Sequence, residues 1–257
     1  MNIITKFCSP NYSIRKGEIK FIIIHYTEME FDEAISKLCN IAAKVSAHYV
    51  IKADGEVFRL VEDQHSAWHA GVSNWQNYSS INEYSVGIEL DNLGYASYPI
   101  AQMQSCISLC KQLITLYNIP RTNILGHSDI APNRKIDPGP FFDWSYLGQH
   151  KLGLWYRMPL NLSTQDTFVV DIMFSFGDKS DEVTKLQQDL QRIGYKIEIT
   201  GTFDLQTNYV IRAFQSHFYP QLIIKLGKDL YHNNNYQYSW DEVSHEILQS
   251  IKLNYYI

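Results

Sequence analysis

The first 150 residues alternate between two hydrophobic periods, and each change of period marks an element. Phe21-Ile22-Ile23-Ile24 is a continuous apolar, β-branched run, which predicts a strand buried on both faces with His25 at its end. Phe31, Ala34, Ile35, Leu38, Ile41, Ala42 and Val45 then recur every three or four positions, predicting one amphipathic helix out to Val45. Tyr49 to Lys52 and Val57 to Val61 flank Ala53-Asp54-Gly55-Glu56, where Asp-Gly favours the positive φ of a tight hairpin. Val86, Ile88 and Leu90 alternate with Ser85, Gly87 and Glu89, so a strand there turns Glu89 away from its apolar set. Ala101 to Tyr117 predicts a second long helix stopped by Asn118 and Pro120, and Ile124-Leu125 a short strand into Gly126-His127. Strands alternating with helices imply an α/β domain built on one central sheet.

The pattern changes after residue 157. Pro159, Ser163, Thr164, Gly177 and Asp178 thin out the apolar positions, placing a junction between Arg157 and Asp181. The expected organisation is a domain over 1–160, a linker over 161–180 and a small helical domain over 181–257. Val183, Leu186, Leu190 and Ile193 make one helical stripe closed by Gly194, and Val210, Ala213, Phe214 and Phe218 make a second. Ser239 with Glu242 reads as a capping box opening a third helix that carries Val243, Ile247 and Ile251.

Composition narrows the function classes. With 22 basic against 27 acidic residues and a net charge of -5, the chain lacks the basic excess of nucleic-acid binders. No apolar run approaches the roughly 18 residues of a membrane span. Residues 1–20 carry polar groups throughout and show no apolar core of a secretory signal. Cys8, Cys39, Cys106 and Cys110 fit no paired zinc-cysteine spacing and read as free structural thiols.

A hydrolytic zinc site needs three protein ligands and an open position, and imidazole with carboxylate is a common set. His25 and His127 each follow a predicted strand, and Asp137 lies in Lys135-Ile136-Asp137-Pro138-Gly139-Pro140, so strand ends and a Pro-fixed loop can bring the three together. Spacing alone leaves this open, because a lone His is commonly a satisfied side chain and an Asp before Pro commonly shapes a turn.

The wording around these residues is more specific. Ile-Ile-His25-Tyr-Thr, Trp68-His69-Ala-Gly71, Gly87-Ile-Glu89-Leu, Gly126-His127-Ser-Asp129-Ile-Ala-Pro132 and Lys135-Ile-Asp137-Pro-Gly139-Pro follow in that order. Together they resemble the type 2 N-acetylmuramoyl-L-alanine amidases over roughly residues 20–150. The resemblance implies a mixed sheet packed by helices, Zn2+ held by His25, His127 and Asp137, and catalysis assisted by Glu89 and Lys135. It also sets His69 beside the cleft, as a substrate-binding residue or one held in a structural hydrogen bond, whereas Asp129 reads as a bond to nearby backbone. Trp75 and Tyr78 fit either a sugar-lining loop or loop anchors.

Val183-Thr-Lys-Leu186-Gln187-Gln-Asp-Leu190 through Gly194-Tyr195, Gly201-Thr-Phe203-Asp204 and Ala213-Phe214-Gln215 resemble the three-helix peptidoglycan-binding module. Leu186, Leu190, Phe203 and Phe214 are its expected core. Pairing the two modules resembles the envelope amidases that accept ordinary and anhydro muramyl ends, which implies peptidoglycan or muropeptides as partner and a periplasmic or envelope location. A cytoplasmic location is the alternative, since the chain shows no signal segment. Two other classes stay open: a non-catalytic peptidoglycan-recognition protein, against which three filled ligand positions argue, and a non-haem iron oxygenase, whose His and acid ordinarily lie close together in sequence.

Overall fold

The computed structural model describes residues 1–157 and 171–255. The chain divides into two compact units, Met1–Leu154 and Trp155–Ile257. In the first unit the strands are β1 (Ile3–Ile4), β2 (Tyr12–Ile14), β3 (Phe21–Tyr26), β4 (Tyr49–Ile51), β5 (Val57–Arg59), β6 (His65–Ala67), β7 (Asn74–Trp75), β8 (Tyr78–Ser79), β9 (Ser85–Leu90) and β10 (Ile124–Gly126). Its helices are α1 (Phe31–Leu38), α2 (Ile100–Tyr117), α3 (His127–Ile130) and α4 (Trp144–Gln149).

Six strands form one sheet in the order β1-β5-β4-β9-β3-β10. β9, β3 and β10 run parallel, β4 runs parallel to β9, and β4 with β5 is antiparallel, so the sheet is mixed. Every residue of β3 is buried, as its unbroken apolar run requires of a strand covered on both faces. The predicted hairpin is β4 to β5, with Gly55 at φ +93 in its turn. α2 ends on Asn118 in the left-handed conformation, its N–H bonded to the Ile114 carbonyl.

The first helix is shorter than its stripe predicts. α1 stops at Leu38; Asn40 turns extended and its side chain accepts from the Ala42 N–H, opening a single 3₁₀ turn at Ile41–Ala43. A short polar side chain here offers the backbone a local partner in place of the next helical bond. Ile41, counted in the buried stripe, is 70% exposed. Val45 still packs against the cluster of Ile35, Leu38, Val50, Phe58 and Leu60.

In the second unit β11 (Ile172–Phe174) pairs antiparallel with β12 (Trp240–Asp241). The helices are α5 (Asp181–Ile193), α6 (Leu205–Phe218), α7 (Pro220–Leu226), α8 (Lys228–Tyr231) and α9 (Glu242–Tyr255). Of the linker expected at 161–180, residues 161–170 lie outside the described residues, while 172–174 are strand β11. Leu186, Leu190, Phe203 and Phe214 are all buried, and Ser180 caps α5 by accepting from the Val183 N–H. The capping box expected from Ser239 and Glu242 does not form. Pairing with β11 holds the chain extended through Asp241, so Asp241 becomes the acceptor for the Ser244 N–H at 2.7 Å. The Ser239 carbonyl instead accepts from Gln215 Nε2.

Among the described residues all four cysteines are free, and no helix is long and apolar enough to cross a membrane.

Candidate metal centre

The parallel strands β9, β3 and β10 set the site at their carboxyl ends, the usual place for ligands on a sheet of this kind. His25 and Glu89 are register partners on β3 and β9, so their side chains leave the same face side by side. Gly126 pairs with Ile24, so His127 begins α3 one residue beyond β10, next to His25. The loop after α3 returns Asp137, whose carbonyl accepts from the Ser128 N–H at 2.9 Å. Tyr98 Oη donates to the Pro138 carbonyl and helps fix that loop. Asp129 turns inward to accept from the Gly126 N–H at 2.7 Å, which is a backbone role.

His25, His127 and Asp137 are all buried, and their ligating atoms lie within 4.8 Å of one another. Asp137 Oδ2 is 2.9 Å from His25 Nδ1 and 3.1 Å from His127 Nδ1. The donor set fits a zinc ion: bonds of about 2.0–2.1 Å in a tetrahedral site separate ligand atoms by roughly 3.3 Å. The ring orientations fit as well. His127 Nε2 lies 3.2 Å from the Ala70 carbonyl, an acceptor, and 3.4 Å from Arg134 Nη2, a donor, and the shorter contact favours the hydrogen on Nε2. In a neutral ring this leaves His127 Nδ1 a bare lone pair, aimed at a carboxylate oxygen. Two acceptors at 3.1 Å repel unless a cation or proton lies between them.

Electrostatics separates the two acids. Burial opposes ionisation of Asp137, yet the adjacent His127 and His25 hold it well below the ordinary carboxylate range. Burial, reinforced by the Asp137 charge, pushes Glu89 well above its usual value, against the pull of Lys135. Glu89 Oε2 is buried without a hydrogen-bond partner. Burial and the neighbouring His127 lower His25 to about 4, so at neutral pH its ring is uncharged. Lys135 lies near enough for its charge to act on both His25 and Glu89.

His69 is buried beside the centre, with both ring nitrogens engaged: Nδ1 with His25 Nε2 at 3.0 Å and Nε2 with Ser85 Oγ at 3.1 Å. Trp75 is 2% exposed, and Tyr78 meets the Phe21 ring edge-on at 5.2 Å; these two are loop anchors. Two contributors escaped the reading of the sequence. Arg134 donates to the Ala70 and Val72 carbonyls and so fixes the loop that carries His69. Arg15, far away in sequence, donates to the backbone carbonyls of Asp63, Asn82, Glu83, His65 and Ser85. The order Arg134-Lys135-Ile136-Asp137 was a signal for the first; nothing local marks the second.

The N-acetylmuramoyl-L-alanine amidase family model matches residues 15–140, and a peptidoglycan binding domain model matches residues 179–221. Fold, site and this pairing define a hydrolase domain followed by a peptidoglycan-binding type of module. AmiD of Escherichia coli strain K12 is 36% identical over 79% of this chain and 76% of its own length. AmpD of the same strain, a 1,6-anhydro-N-acetylmuramyl-L-alanine amidase, is 45% identical over 40% of this chain and 56% of its own length. In structure, AmiD in complex with anhydro-N-acetylmuramic acid-L-Ala-D-gamma-Glu-L-Lys superposes with a TM-score of 0.72 at 31% identity, covering 92% of this chain and 90% of that one. AmpDh3 from Pseudomonas aeruginosa superposes with a TM-score of 0.71 at 27% identity, covering 93% of each chain. The chain belongs to the N-acetylmuramoyl-L-alanine amidase family and is an enzyme of that kind.

Proposed function

We propose that this enzyme hydrolyses the amide between N-acetylmuramic acid and L-alanine in peptidoglycan and in muropeptides, anhydro forms included, with zinc held by His25, His127 and Asp137. The observation that carries the reading is the buried triangle in which His127 Nδ1 and His25 Nδ1 both face Asp137 Oδ2. Zinc bound there supplies Lewis-acid charge that polarises a carbonyl and acidifies water. Support for the substrate comes from AmiD and AmpDh3, each solved with an anhydromuramyl peptide.

The roles of the chain's own residues follow from their surroundings. An amide nitrogen leaves poorly as an anion, so a proton must travel from the attacking water to that nitrogen. Glu89 is the carrier: it stands beside His25 on the next strand, keeps Oε2 unpartnered and holds a proton more readily than an ordinary carboxyl. Lys135, whose charge acts on Glu89 and His25, stabilises the oxyanion that forms as the carbonyl is attacked. Asp137, kept ionised, offsets the charge of a bound cation.

The second unit keeps a polymeric substrate at high local concentration, which supports an envelope location over a pool of small diffusing fragments. Digestion of purified sacculi and of an anhydromuramyl peptide, with products followed by mass, tests the reading. Free stem peptides beginning with L-alanine, alongside peptide-free sugars, are expected. Cleavage inside the peptide or between sugars, or binding without any cleavage, would refute it.

A further inference from the structure

Both metal-facing histidines are held from behind by two consecutive residues. His25 Nε2 lies 3.0 Å from His69 Nδ1, and His127 Nε2 lies 3.2 Å from the Ala70 carbonyl. The His25 and His69 rings meet edge-on at 83°, with centroids 5.1 Å apart. His69 is itself clamped. Its backbone N–H and that of Ala70 both donate to Asn82 Oδ1, and its Nε2 faces Ser85 Oγ at 3.1 Å. Residue 87 on β9 has to be glycine for the ring to fit, because a Cβ there would come within 2.4 Å of it.

Hydrogens can be placed along this chain in one consistent direction. Ser85 Oγ donates to the Ile81 carbonyl at 2.7 Å, so it is free to accept from His69 Nε2–H. In a neutral His69 ring, Nδ1 is then a lone pair and must accept from His25 Nε2–H. That places the hydrogen of His25 on Nε2 and bares Nδ1 toward Asp137. With a cation at His25 Nδ1, every group in the series Ile81, Ser85, His69 and His25 is satisfied by this arrangement, and the reverse direction would set the Ser85 hydroxyl against its own carbonyl acceptor.

We propose that His69 is a positioning residue for the metal centre: anchored by Ser85, it fixes the tautomer and ring orientation of His25 and so preforms the ligand triangle. The proposal rests on the zinc reading above and differs from a substrate-binding role for His69, whose two ring nitrogens are already engaged. A partner behind a ligating histidine is worth roughly 10–100-fold in metal affinity.

The test is zinc affinity of the metal-free full-length chain, measured by competition with a chelator, for wild type, His69→Phe, His69→Gln and Ser85→Ala. His69→Phe weakens affinity about 10–100-fold. Ser85→Ala weakens it less, and His69→Gln, whose amide oxygen can accept from His25, restores part of the loss. At saturating zinc, KM for a muropeptide stays at the wild-type value in all three. In the zinc-loaded wild type, histidine nitrogen NMR shows hydrogen on Nε2 of both His25 and His69. Wild-type affinity in His69→Phe, or a raised KM with affinity intact, would overturn the proposal in favour of a substrate contact. If His69→Phe does not fold, Ser85→Ala and His69→Gln decide the matter. A wild type that binds no zinc removes the metal reading itself, and this one with it.

Discussion

Glu89 in the first unit and Gln187 in the second are both polar side chains with buried atoms, and their surroundings treat them in opposite ways. Gln187 is fully buried and fully used: its two Nε2 hydrogens are shared among Thr200 Oγ1, the Thr202 carbonyl and Thr207 Oγ1, while Oε1 accepts from the Thr200 and Gly201 N–H groups. It ties the loop between α5 and α6 to both helices. Glu89 keeps Oε2 buried with no partner, and burial beside Asp137 makes its ionisation costly. A satisfied buried polar group holds a fold together, whereas an unsatisfied one costs stability, and at Glu89 that cost falls beside the candidate metal ligands.

Five experiments bear on this contrast, taken from the largest expected effect to the smallest. Glu89→Gln keeps wild-type metal content but lowers turnover by about 10²–10⁴-fold, as expected for loss of a proton carrier. Metal analysis and rate must therefore part company; loss of both together would make Glu89 part of the structural frame. The same substitution stabilises the metal-free protein at neutral pH. An acid whose folded pKa is raised binds more protons folded than unfolded, so it loses stability as pH rises from its unfolded value toward its folded one. The melting temperature of Glu89→Gln should exceed that of wild type by a margin that grows as pH rises above 4.5.

A base shows the opposite sign. His48 is fully buried: its Nδ1 accepts from the Gly87 N–H, and its Nε2 lies 3.0 Å from both the His65 carbonyl and Arg15 Nη2. Burial and the nearby Arg15 lower it from 6.5 to about 3. The unfolded chain takes up that proton first, so stability falls as pH drops below 6.5, by about 1.4 kcal/mol per pH unit, and levels off near 3. His25 and His69 are lowered in the same window, so the check compares urea midpoints of metal-free Glu89→Gln with and without His48→Gln; an unchanged slope from pH 6.5 to 4 would contradict it.

In the second unit, Gln187→Ala strands the Thr200 and Gly201 N–H groups and destabilises that unit by roughly 1–3 kcal/mol. Turnover of a soluble muropeptide should not change. A fall in that turnover would show that Gln187 serves the chemistry as well. The smallest effect belongs to Ser180→Ala, which removes the α5 cap for about 1 kcal/mol and leaves metal content unaltered.

The sequence made the first unit's strands legible because β3, β4, β5, β9 and β10 carry apolar runs or alternation that only a buried sheet rewards. It overstated α1, since Asn40 bonding to Ala42 breaks a helix that periodicity alone continues. It misplaced the last cap because the pairing of β12 with β11 is non-local. His25, His127, Asp137 and Glu89 stood out through the ordered motifs around them. Ser85 and Arg15 did not, because each acts by bonding to groups distant in the chain, and no local pattern encodes such partners; Arg134 is marked only by its place beside Lys135.

The central claim is that amide cleavage depends on a metal held by His25, His127 and Asp137. Its most direct test is the rate of stem-peptide release from a muropeptide by enzyme stripped of metal and then restored with one equivalent of zinc. The account predicts that release stops with metal removal and returns with zinc in the wild type, and does not return in Asp137→Ala. Undiminished release from enzyme verified to be metal-free would contradict it.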